Sequence, residues 1–400
     1  MSLGLKSSKL LCDRWFYYVL KIFGITYQKT FLQKAGFVTC TRNFFSIPAV
    51  LLYLSFAYSA SCFGVRFKAL LSEHFVNYLI SLFFPIILWH QFQANRPKFL
   101  NFMMHLEYAV CNFKSCSYEK DYLFDTIMFG TVIYPVLFPI AFLFVSIHEG
   151  SHEDIVFWLL GCPLDNCPIL RILLMFLGVS VYFSLKFLML TFLSILYIGF
   201  SKKLSNAIQK QTEILEIDFF SPSFYCHVKT YHLIVKSCLL FNDAIKLSVF
   251  LMFCLFFAVT YSSLGLVLGL TKFTLTHEVE CTLILIYSVI LMTCLISSLS
   301  AVPDAMSRAS LIFQNIYNKE IIRDEFLELE PPGFQRLMTI KALSKLKPVY
   351  ITAWDIMKVD RSLLLSTFGC ILTFGILIIQ LQTQLRNEIE TGISCTVEPR

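Results

Sequence analysis

Residues 373–382 read Thr373-Phe374-Gly375-Ile376-Leu377-Ile378-Ile379-Gln380-Leu381-Gln382, an apolar run closed by glutamine. Traced back to Leu363, the run reaches the roughly 20 residues that a helix needs to cross a hydrocarbon core. An uncharged amide at its end needs a hydrogen-bonding partner, so the helix faces something other than lipid along at least one stripe.

The rest of the chain repeats the pattern. Of its 400 residues 56% are hydrophobic and 15% charged, 41 are phenylalanine, and mean hydropathy is +0.67. Soluble domains hold about 45–50% apolar and about 25% charged residues, so this much apolar surface needs lipid as solvent. Six further spans fall at about Phe44–Val65, Phe75–Phe92, Leu123–Ile147, Ile172–Phe200, Ser248–Leu270 and Thr282–Ala301, with Leu363–Gln382 the last. An open sheet would leave unpaired backbone groups in hydrocarbon, so each is predicted to be helical. The fold class is therefore all-α: a polytopic membrane protein with seven transmembrane helices.

Basic residues orient it. Of the 33 lysines and arginines, 26 lie before the first span or in the connections after spans two, four and six. Residues 148–170 hold none, but carry Glu149, Glu153, Asp154 and Asp165. Positive charge stays inside, which predicts a cytoplasmic N-terminus and a C-terminus outside; a plasma-membrane location is expected. A G-protein-coupled receptor has the opposite orientation. The chain reads as one unit over 1–400: spans one to six over 1–301, a cytoplasmic helical region over 302–362, the last span over 363–383, and an extracellular tail over 384–400. Within the cytoplasmic region Met306–Glu330 has helical spacing, Pro331-Pro332-Gly333 ends it, and Phe334–Leu346 reads as a second amphipathic helix.

Enzyme chemistry finds no support, since no G-x-S-x-G, Walker loop or CxxC occurs. No cofactor, metal or nucleic-acid partner is expected. Cys162 and Cys167 in "GCPLDNC" are a possible disulfide on the acidic outer connection, where an oxidising exterior permits one. Gly265 and Gly269 form a GxxxG, a weak sign of close helix contact. Lys186 in span four lies about 24 Å along its helix from Leu170 at 1.5 Å per residue, near enough to the inner surface to snorkel.

Thr352–Leu381 resembles the C-terminal signature of the arthropod gustatory receptor family, which reads Thr-Tyr, five hydrophobic residues, then Gln-Phe. Thr373 and Gln380 match, Gly375–Ile379 supply the spacer, and Phe374 and Leu381 replace the Tyr and Phe. Ala353-Trp354 and Asp360-Arg361-Ser362-Leu363-Leu364 share the family's character. Related odorant receptors have the same topology. The resemblance implies a ligand-gated, non-selective cation channel, assembled as a homo- or heterotetramer in lipid. Its four last helices would surround a pore for monovalent and divalent cations. A small-molecule tastant would bind among the outer halves of the other spans. A monomeric seven-helix signalling receptor or transporter is the contrasting reading, and the spans lack the deep carboxylates expected of a transporter.

The residues add detail of their own. Ser366, Cys370, Thr373, Leu377, Gln380 and Gln384 recur at steps of three or four, so they share one helix face. That stripe suits either water or a neighbouring helix. Thr373, Leu377, Gln380, Leu381 and Gln384 are the candidate pore and gate residues, with Leu381 closing an apolar ring. Glu388 and Glu390 are candidates for an outer mouth that concentrates cations. Candidate ligand contacts are Glu73, His74, Asn77, Tyr78, Phe142, Met175, Tyr182, Tyr261 and Tyr287.

Overall fold

The computed structural model describes residues 47–70, 74–111, 122–149, 159, 167–268, 275–322 and 331–394. In chain order these form α1 (Ile47–Leu70), α2 (His74–Cys111), α3 (Tyr122–Glu149), α4 (Pro168–Ile217), α5 (Phe224–Val267), α6 (Leu275–Ile322), α7 (Pro331–Ser344), strands β1 (Thr352–Ala353) and β2 (Met357–Lys358), and α8 (Arg361–Ser394). The seven predicted spans fall on α1 to α6 and α8. Among the described residues, Phe224–Gly265, Glu278–Ile322 and Arg361–Leu381 are long and apolar enough to cross a membrane, and shorter apolar stretches lie in α1, α3 and α4.

The elements differ from the sequence reading in three places. The basic connections after spans two and four are largely helix rather than loop: α2 runs on to Cys111, and α4 and α5 are joined by a short turn at 218–223. With 50 residues in α4, a rise of 1.5 Å per residue gives about 75 Å, far beyond a core of about 30 Å. Hydropathy marks where the solvent changes, and the helix continues because Lys, Gln, Glu and Leu sustain it in water. Second, the predicted helix from Met306 is the unbroken end of α6, which reaches Ile322 through Pro303. Pro331 and Pro332 open α7 instead of only closing what precedes them; proline suits a first turn, whose amides have no partner anyway. Third, the predicted tail is helical through Ser394.

The main core lies where α2, α4, α5 and α6 meet in the base-rich half. Phe102 of α2 stands 5.2 Å from Phe200 of α4 and 4.9 Å from Phe241 of α5, ring to ring. Further out, Tyr231 of α5 meets Phe313 of α6 edge-on at 5.3 Å. Helix α7 folds back on α6, where Ser310 Oγ donates to the Ser344 carbonyl at 2.6 Å. Arg336 Nη1 donates to the Phe219 carbonyl in the α4–α5 turn at 3.3 Å.

Between α7 and α8 the chain makes a small hairpin, with Thr352 paired to Lys358 and Ala353 to Met357. Ile351, Ala353 and Val359 are buried against the main core. Trp354 and Asp355 form its turn with φ of 51° and 58°. Non-glycine residues in that region cost of order 1–3 kcal/mol each unless their surroundings hold them there. Asp360 then caps α8, its Oδ1 accepting from the Ser362 hydroxyl at 2.6 Å and the Leu363 amide at 3.1 Å. These donors, the hydroxyl foremost, hold its carboxyl below the usual carboxylate range.

Candidate functional site

Helix α8 is built with distinct faces. Thr367 and Ile378 are buried, and Ile371, Phe374 and Gly375 are partly covered on the same side. This face packs on α5 and α6. Phe374 meets Tyr261 edge-on at 4.6 Å, and Gly375 lets Leu264 of α5 and Leu268 just beyond it approach, with room for a Cβ at 3.7 Å. The predicted stripe of Ser366, Cys370, Thr373, Leu377, Gln380 and Gln384 is exposed at every position. Leu377, Ile379, Gln380, Leu381, Thr383 and Gln384 line an open depression of about 410 Å³. Thr373 Oγ1 donates to the Gly369 carbonyl at 2.8 Å and Thr383 Oγ1 to Ile379 at 2.9 Å. Local bonding of this kind leaves the glutamines as the stripe's available amides. A third arc, with Leu365, Leu372, Ile376 and Ile379, is exposed and wholly apolar.

A second aromatic cluster forms toward the opposite end of the bundle from the base-rich half. It unites Phe138 and Phe142 of α3 with Met175, Val179, Tyr182 and Phe183 of α4, and Tyr58 of α1 packs on it. Helix α1 approaches α4 closely here, because a Cβ on Gly178 would lie 2.0 Å from the Tyr58 hydroxyl. Phe142, Met175 and Tyr182, all predicted ligand contacts, are thus brought together and buried. Tyr287 joins the cluster's edge: it stacks on Tyr134 at 5.0 Å and meets Phe187 edge-on at 5.1 Å. Its hydroxyl bonds to that of Thr191. Two buried hydroxyls adjoin the cluster in sequence with no hydrogen-bond partner among the described residues, Ser59 of α1 and Ser146 of α3.

Tyr261 stands apart from this group, on the α5–α8 seam. The two regions are nevertheless joined. Ser288, next to Tyr287, shares a hydrogen bond of 3.1 Å with Thr260, next to Tyr261. Contacts therefore run from the cluster through Tyr287, Ser288, Thr260 and Tyr261 to Phe374. Sequence reasoning missed Tyr134, Phe138, Phe183 and Phe187 and the Thr260–Ser288 pair. The spacing Tyr134, Phe138, Phe142 is the helical periodicity that marks a shared face.

Other predicted residues are only partly placed. His74, Asn77 and Tyr78 lie on α2 and Glu388 and Glu390 on α8, their side chains outside the described residues, as is that of Lys186 on α4. Glu73, Cys162 and Gly269 lie outside the described residues altogether; Cys167 is exposed at the head of α4 and Gly265 is buried on α5. Among the described residues no group of histidine, cysteine and carboxylates is placed to hold a metal.

No family model matches the chain, and no curated protein does. Solved structures do. The insect olfactory receptor OR5 from Machilis hrabei aligns with a TM-score of 0.58 over 92% of this chain and 98% of its own, at 14% identity. The same receptor in complex with eugenol aligns with a TM-score of 0.52 over the same shares, at 15% identity. The chain has the fold of an insect olfactory receptor. At this identity the likeness is one of fold, and it spans nearly the whole of both chains.

Proposed function

We propose that the chain is one subunit of an insect-type chemoreceptor, a ligand-gated and non-selective cation channel of the gustatory branch. The observation that carries this reading is the exposed stripe on α8. A helix apolar enough to cross a membrane, yet packed along one face and polar along another, has a surface that lipid does not suit. Four copies around an axis would turn the stripe of Thr373, Leu377, Gln380 and Gln384 to water and leave the arc of Leu365, Leu372 and Ile376 for neighbours or lipid. Leu381 would close the path by dewetting. The charge bias supports a cytoplasmic N-terminus, and residues 302–362 then form a helical anchor on the cytoplasmic side. Glu388 and Glu390 would stand at the outer mouth.

The ligand site in this reading is the cluster of Phe142, Met175, Tyr182 and Tyr287. Its rings and the spare hydroxyls of Ser59 and Ser146 suit a small, mainly apolar molecule with one or two polar groups. The eugenol complex of the olfactory receptor that shares the fold supports a small organic ligand. The contacts from Tyr287 to Phe374 offer a route from that site to the pore helix. The Thr373 to Gln380 signature favours the gustatory branch. The olfactory identity of the solved structures favours the odorant branch as the second reading.

The test is a panel of tastants and odorants applied to cells expressing the chain, with cysteines placed one at a time along α8. Ligand-evoked cation current is expected. A water-soluble thiol reagent is expected to block it at positions 373, 377, 380 and 384, and not at 365, 372 or 376. Surface-expressed protein giving no current to any ligand, with equal labelling of both arcs, would remove the channel reading.

A further inference from the structure

The turn of the hairpin ahead of α8 is clasped by α5. Asn242 Oδ1 accepts from the Thr352 amide at 2.7 Å and from the Thr352 hydroxyl at 3.2 Å. The Lys246 carbonyl accepts from the Trp354 amide at 2.9 Å, and Lys246 Nζ donates to Asp355 Oδ2 at 2.5 Å. The Phe250 ring lies 5.2 Å from that of Trp354. Asn242, Lys246 and Phe250 are four residues apart, so a single stripe of α5 supplies every one of these contacts. Asp243 links the same point to α2, meeting Lys246 at 3.6 Å and Lys98 at 3.1 Å. The Lys246 ammonium and the Thr352 hydroxyl hold the Asp355 carboxyl below its usual range.

Stability alone does not account for this arrangement. Lys246 and Asp355 form an exposed pair, and exposed pairs contribute little to stability. What they do is fix a turn whose consecutive left-handed residues, Trp354 and Asp355, would relax if released. The turn in turn fixes where α8 begins. Beyond it, α8 touches the bundle along a narrow face, and its head is tied to α6 by Arg361 Nε on Asp304 Oδ2 at 3.0 Å.

We propose that Asn242 and Lys246 are positioning residues for α8, acting through the strained turn as the fixed pivot against which α5 moves that helix. A lever needs a pivot as well as a push. The Tyr261–Phe374 contact is the push in the channel reading, on which this inference rests; the clasp at Trp354–Asp355 is the pivot. With the pivot loose, motion of α5 is absorbed by the hairpin and does not reach the far half of α8.

Two measurements on the full-length protein test this. Hydrogen exchange on the purified assembly reads the clasp directly. Lys246→Ala and Asp355→Ala are expected to speed exchange of the amides of residues 361–370, and the charge swap Lys246→Asp with Asp355→Lys is expected to restore protection. Single-channel recording reads the consequence: a several-fold lower maximal ligand-evoked open probability in each single variant, unchanged unit conductance, and recovery in the swap. Wild-type exchange in both single variants overturns the clasp, as does an unchanged open probability. Altered exchange in a protein whose wild type passes no ligand-evoked current would leave the clasp standing and remove the channel reading instead.

Discussion

Helices α5 and α8 are both apolar enough to cross a membrane, yet 50% of the apolar stretch of α5 is buried inside the fold and only 11% of that of α8. Their sequences read alike as spans. The difference is one of neighbours. Helix α5 is enclosed by α2, α4 and α6 and presents few unanswered groups. Helix α8 leans on α5 and α6 with one face and shows the rest. Hydropathy therefore identifies the solvent a helix needs without identifying which helices will cover it, and in the proposed tetramer the missing cover of α8 comes from other copies and from lipid.

The largest effect that would sharpen this contrast is on folding. Phe241 of α5 is fully buried between Phe102 and Phe200. Truncation to alanine at such a site costs about 3–5 kcal/mol, so Phe241→Ala is expected to abolish surface expression and collapse the detergent melting curve. Leu372→Ala on the exposed arc of α8 should leave subunit melting within about 0.5 kcal/mol and weaken assembly on size-exclusion chromatography. Equal loss in both would break the comparison.

Next in size is the gate. Leu381→Ser is expected to raise agonist-independent current roughly tenfold, equivalent to about 1.4 kcal/mol on the closed-to-open equilibrium. A well-expressed, ligand-responsive and silent Leu381→Ser channel would move the constriction to Leu377, one turn away.

A smaller effect belongs to the seam between the two helices. An edge-on aromatic pair is worth about 0.5–1.5 kcal/mol beyond its area. Tyr261→Ala and Phe374→Ala should each shift the half-maximal ligand concentration by about 2- to 10-fold. Their double variant should shift it by little more than either alone. Additive shifts would show that the ring contact carries no coupling. By contrast Tyr182→Ala, inside the cluster, should change the rank order of ligands, which a seam variant should leave intact.

The smallest effect is electrostatic. Glu388→Gln with Glu390→Gln should lower single-channel conductance at low ionic strength and only slightly at high, because salt screens exposed charge. Conductance unchanged in both salts would place the end of α8 away from the ion path.

Much of the bundle was legible because its spans are long and its aromatic spacing regular; the exposed stripe on α8 was readable position by position from steps of three and four. What escaped is instructive. The extension of α2, α4 and α5 beyond the hydrocarbon was hidden because charge appears along a helix as readily as in a loop. The hairpin was invisible because a tryptophan seldom takes a left-handed turn, and the partners supplied by Asn242 and Lys246, 110 and 109 residues away, help to hold it. Tyr261 looked like its fellow aromatics in composition, and only packing separates it from Phe142 and Tyr182. Its place was decided by α8, a helix more than one hundred residues later in the chain.

The cap at Asp360 has a consequence for chain length. It fixes the residue at which α8 begins, and the seam at Phe374 and Gly375 fixes its azimuth further along, with no slack between them. Adjacent residues on a helix differ by about 100° in direction. One codon gained or lost between residues 361 and 373 would therefore swing Gln380 off its stripe while leaving every side chain chemically intact. Over this stretch the gene is constrained in its count as well as its letters, and single-residue indels should be more damaging there than most substitutions.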